Sequence, residues 1–96
     1  MNDIHLKVLQ VTTVFKKEIP QYKKIIFACQ CLSGLDITNI SQTTKDYLYD
    51  HLNKTNRIIS QYPIHEWEDY QLISDMHQNK MLKSFENLCR ILISDK

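Results

Sequence analysis

Residues 45–62 read KDYLYDHLNKTNRIISQY, and the fold of the chain depends on whether this stretch is one helix or two. Leu48, Leu52, Thr55, Ile59 and Tyr62 recur at steps of four, three, four and three, which lines them along one face of a single α-helix. Pro63 ends that helix, because a proline disfavours the helical conformation of the residue before it. The competing reading is a helix-turn-helix. Asn53 would form the turn, Thr55 would cap the second helix, and Thr55, Asn56, Arg57 and Gln61 would face outward as readers of base edges or phosphates. Tyr49 stands where that motif needs a small residue, Lys54 where it needs an apolar one, and no glycine occupies the turn. The continuous helix therefore takes precedence, and a small DNA-binding regulator is kept as the alternative.

The missing glycine is a property of the whole chain. Gly34 is the one glycine among 96 residues, and Pro20 and Pro63 are the two prolines. Tight hairpin turns and phosphate-cradling loops depend on these residues for positive or fixed φ, so β-meanders and nucleotide loops are nearly excluded. What remains is an all-α fold in a single domain spanning residues 1–96, with four to five helices in a compact bundle or orthogonal array, broken near residues 20, 34 and 63. Ile4, Val8, Val11, Phe15 and Ile19 give the first helix its stripe over residues 3–18, although Thr12, Thr13 and Val14 locally favour strand. Pro20 can open a second helix. Residues 25–32 are apolar on almost every face and read as the buried centre of the domain, with Gly34 as the helix stop. Ser41 to Thr44 supply capping side chains for the helix at 44–62. After Pro63, Glu66, Glu68 and Asp69 fall in a helical first turn or two, where carboxylates are favoured. His77, Gln78 and Asn79 read as a break, and the last helix runs over residues 80–94 with Met81, Phe85, Leu88, Cys89 and Leu92 on one side.

A hydrophobic fraction of 43% with 24% charged residues describes a folded, soluble chain. A net charge of +1 supplies no general attraction to nucleic acid or to an anionic membrane. The longest apolar run, Ile25 to Cys29, is too short for a membrane span or a signal-peptide core, which gives the expectation of a cytoplasmic protein. Its cysteines, Cys29, Cys31 and Cys89, are odd in number and read as thiols.

Chemistry-bearing patterns are sparse. Cys29 and Cys31 sit two apart, on opposing sides of a helix, and cannot converge on one ion, so no metal or other cofactor is expected. His5, His51, His65 and His77 are not accompanied by a nucleophile elbow, a phosphate loop or a zinc-helix motif, and an enzyme is not expected. The apolar residues of 64–76 are instead scattered around the helix axis. That scatter, with the aromatics Trp67 and Tyr70 set among acids, points to a surface made for a partner protein. The expected site is Ile64, Glu66, Trp67, Glu68, Asp69 and Tyr70, with Trp67 as anchor and the carboxylates meeting a basic surface. The functional reading is a small non-enzymatic interaction module of adaptor, chaperone or inhibitor type; a homodimer is compatible with it.

Overall fold

The computed structural model describes residues 3–95. They form four α-helices, α1 (Asp3–Phe15), α2 (Gln21–Leu32), α3 (Gln42–Ile59) and α4 (Asp75–Ser94), with a 3-10 helix, Trp67–Leu72, between α3 and α4. No strand occurs among the described residues, and the fold is an all-α bundle. Among these residues no helix is long and apolar enough to cross a membrane.

The first helix keeps its stripe, with Ile4, Val8 and Val11 buried and Phe15 half-buried. The β-branched run does not break it. Thr12 Oγ1 donates to the Val8 and Leu9 carbonyls and Thr13 Oγ1 to the Leu9 carbonyl, so both hydroxyls are absorbed by the helix they were expected to weaken. The helix ends at Phe15, where Lys24 Nζ donates to the Phe15 carbonyl at 2.8 Å. Ile19 therefore lies beyond the stripe and is exposed. Pro20 immediately precedes α2, its carbonyl accepting from the Lys23 amide at 3.1 Å. At the other end Ser33 caps the helix, and Gly34 has no positive φ. The stop falls where the glycine suggested, without the left-handed conformation that would make a glycine necessary.

Residues 25–32 are not the centre of the bundle. Of α2 only Ile25 and Ala28 are fully buried, whereas α4 buries Gln78, Met81, Phe85, Leu88, Cys89 and Leu92. The reason is placement: α4 packs against α1, α2 and α3, while α2 meets α1, α4 and the 3-10 helix and keeps one flank open. The last helix also begins earlier than its composition suggests. Ser74 Oγ accepts from the His77 amide at 3.3 Å as an N-cap, and Asp75 sits in the first turn. His77, Gln78 and Asn79 thus lie within the first two turns of a helix rather than at a break. Gln78 points inward, its Nε2 donating to the Ile73 carbonyl at 2.7 Å.

Residues 42–59 are one uninterrupted helix. No residue near Asn53 has a positive φ, and the turn that a helix-turn-helix requires is absent. Ser41 caps the helix by accepting from the Thr44 amide at 3.2 Å. The far end of the chain reinforces this cap. Asp95 Oδ1 accepts from Ser41 Oγ at 2.6 Å and from Thr44 Oγ1 at 2.7 Å. These bonds hold the Asp95 carboxyl below its ordinary range. No Cα atom of α3 comes within 8 Å of α1 or α2; among the helices its backbone neighbour is α4 alone.

Candidate functional site

The way α3 sits on α4 decides which surfaces remain free. Its inward residues are Thr44, His51 and Thr55, all buried, with Leu48, Ile58 and Ile59 half-buried; the helix ends at Ile59, short of the expected 62, so Tyr62 packs half-buried from the loop that follows its C-cap Ser60. Leu52, expected in the seam, is 43% exposed, and His51 takes its place at 5%. Burying an imidazole requires a partner. His51 Nδ1 lies 2.6 Å from Ser84 Oγ on α4, and its ring packs edge-on against Phe85 at 4.3 Å between centroids. Burial pushes the His51 pKa down to about 4, so the ring is neutral at physiological pH. Thr55 Oγ1 donates to the His51 carbonyl at 3.0 Å, which returns its hydroxyl to the helix. Among the described residues every buried side-chain nitrogen and oxygen has a partner.

Rotating His51 inward leaves the Leu52 side of α3 facing α2 across an open gap. The result is an apolar groove of about 390 Å³. Cys29 and Leu32 of α2 form one wall together with Leu35 and Ile37 of the following loop. Leu48, Leu52 and Ile59 of α3 form the other, and Phe85 and Leu88 of α4 lie at its base. Tyr70 of the 3-10 helix also lines it. Cys29 and Tyr70 both lie in this apolar lining. Burial pushes Cys29 up to about 11 and Tyr70 up to about 12. Neither is ionised at neutral pH, so Cys29 behaves as a small apolar side chain rather than a nucleophile.

The six residues expected to form a binding surface divide by environment. Tyr70 is buried and Ile64 half-buried against the core, so both belong to the scaffold. Asp69 Oδ2 accepts from the His65 and Glu66 amides at 2.8 and 3.0 Å, which lowers its pKa and commits its carboxylate to capping the 3-10 helix. Glu66, Trp67 and Glu68 remain exposed. Trp67, 45% exposed, rests on Tyr70 with ring centroids 5.4 Å apart. The aromatic pair therefore connects the exposed acidic segment to the groove.

Of the four residues of the DNA-reading alternative, Thr55, Arg57 and Gln61 line the α3–α4 seam and Asn56 does not. Thr55 is buried, Asn56 lines the apolar groove, and Arg57 and Gln61 lie along the opposite seam, between α3 and α4. Sequence reasoning missed the groove because a gap between helices 2 and 3 has no local signature. Its one sequence trace is Tyr49 and Leu52, three residues apart on one side of the helix, beside a seam that His51 could also fill. Among the described residues no three His, Cys, Asp or Glu side chains are grouped so as to hold a metal ion. Compared with known proteins, the chain matches no family model, no curated protein and no solved structure.

Proposed function

We propose that this chain is a small, non-enzymatic protein-interaction module that receives apolar side chains of a partner protein in the groove between α2 and α3. The observation that carries this reading is the uncovered flank of α3. Leu48, Leu52 and Ile59 face a groove of about 390 Å³ with no helix backbone opposite within 8 Å. Covering such a surface removes apolar area from water and stabilises a complex at about 25 cal/mol per Å² before the costs of association. Trp67, in tilted contact with the groove-lining Tyr70, supplies an aromatic anchor, and the exposed carboxylates of Glu66 and Glu68 favour a partner with basic residues beside its apolar ones. Three free cysteines support a reducing, cytoplasmic setting.

The reading is tested by capture from nuclease-treated source cells with three baits in parallel: wild type, Leu52→Glu and Trp67→Ala. Both side chains are substantially exposed, so each variant should fold with a stability change within about 1 kcal/mol. The expected result is a protein prey held by wild type and lost with Leu52→Glu. Identical prey on all three baits, or retention that depends on nucleic acid, would count against it.

A further inference from the structure

The seam on the other side of α3 has a different character. Where α3 and α4 diverge toward solvent they enclose a trough of about 460 Å³. Lys54 and Arg57 line it from α3, Lys80 and Lys83 from α4, over a floor that includes Ile58 and Met81. No Asp or Glu lines it. Lys54 is paired with Asp50 at 2.9 Å, one turn along α3, but both side chains are more than half exposed and such a pair exchanges readily. Among the described residues, Arg57, Lys80 and Lys83 have no carboxylate within 4.0 Å. Like charges one turn apart on each wall repel, and among the described residues Lys54 alone of the four has a carboxylate, that of Asp50, to offset part of that repulsion. Because the whole chain carries a net charge of only +1, this concentration of cations is local. It was hidden in the sequence by the acids of the same half.

From this arrangement we infer that the α3–α4 trough is a second docking surface, whose occupant is an acidic amphipathic helix of a partner protein. Two features select that occupant. The cations on each wall are three residues apart, about 4.5 Å along their helix axes, close to the one-turn repeat of carboxylates along a docked helix. Between the two cationic rims the half-buried Ile58 offers a single narrow apolar contact among Gln61, His77, Ser84 and Asn87, which suits a helix carrying a narrow apolar row flanked by acids. A nucleic-acid strand is the poorer fit. No Phe, Tyr or Trp lines the trough to stack a base, and four cations neutralise too few phosphates for strong binding at physiological salt. The site is separate from the α2–α3 groove, and neither proposal depends on the other.

The test is fluorescence anisotropy at low salt with the full chain and three labelled probes. They are a designed Glu/Leu/Ala amphipathic helix of about 18 residues, long enough to hold a helix when bound, a scrambled peptide of the same composition, and a single-stranded oligonucleotide. The amphipathic peptide should bind at least about tenfold more tightly than either control. Lys80→Glu with Lys83→Glu should weaken it at least about tenfold with an unchanged circular dichroism spectrum, whereas Lys16→Glu with Lys17→Glu, or Leu52→Glu, should leave it unchanged. If the charge reversal perturbs folding, Lys80→Ala with Lys83→Ala is measured instead, with the same loss expected in direction. Equal binding of the scrambled peptide, tighter binding of the oligonucleotide, or full affinity in the folded Lys80/Lys83 variant would overturn the inference.

Discussion

The α1–α2–α4 contact and the α3–α4 contact are built from different materials. The first is nearly all carbon: Val8, Val11, Ile25, Ala28, Met81 and Leu92 are all at or below 2% exposure. The second fully buries no apolar residue of α3, and its buried α3 side chains are Thr44, His51 and Thr55. Directional bonds fix the register there: His51 to Ser84 between the two helices, Thr44 to the α4 C-cap Asp95, and, from the loop after α3, Tyr62 Oη with His77 Nδ1 at 2.6 Å. Apolar packing is strong and tolerant of small shifts. Hydrogen bonds contribute only about 0.5–1.5 kcal/mol each but fail sharply when one partner is lost or charged. The difference explains how a bundle of this size can hold one helix in place while leaving that helix's flanks available to other molecules.

The largest expected effect lies in the carbon-built part. Met81→Ala should cost about 2–5 kcal/mol, because Met81 is completely buried and its removal leaves a cavity beside three helices. Chemical denaturation of the purified protein measures it, and a loss below about 1 kcal/mol would mean that the three-helix core is looser than its burial implies.

The next effect belongs to the hydrogen-bonded part and appears as pH dependence. In the folded chain His51 has a pKa of about 4, below its ordinary value of 6.5, because burial disfavours the charged ring. The unfolded chain binds this proton more readily than the folded one. Stability is therefore full above about pH 6.5 and falls as the pH drops toward 4, by an amount of order 3 kcal/mol. Asp95 and Asp69 have lowered pKa values, so their contributions are present above the ordinary carboxylate pKa and fade only at more acid pH. The window from 6.5 to 4.5 thus separates the His51 imidazole from these two carboxylates. Melting curves across it should show the slope in wild type and a flatter one in His51→Gln; parallel slopes would remove His51 as the cause.

At the small end, Leu52→Ala should change stability by no more than about 1 kcal/mol, since Leu52 is 43% exposed. Thermal melts compare it directly with Met81→Ala. A loss as large as that of Met81 would show that the groove wall belongs to the core.

What could be read in the sequence follows the same division. The stripe of α4 from Met81 to Leu92 and the continuity of α3 were legible because apolar spacing is a local signal. The interior of α3 was not, because the burial of His51 depends on Ser84, 33 residues away. The first turn of α4 was misread for a similar reason. Gln78 looks like a surface residue until its bond to the Ile73 carbonyl is seen, although Ser74 followed by Asp75 was an available start signal. In the candidate site, Trp67 and Glu68 are exposed as composition suggested, while the roles of Tyr70 and Asp69 were set by tertiary contacts that spacing does not encode.

Native-state hydrogen exchange of α3 and α4, at pH 7 and again at pH 5, tests the central claim most directly. The account predicts that the amides of α3 open at a lower free energy than those of α4 between Met81 and Leu92, and that the gap widens at pH 5 as protonation of His51 favours the detached helix. Equal opening free energies for the two helices at both pH values would contradict it.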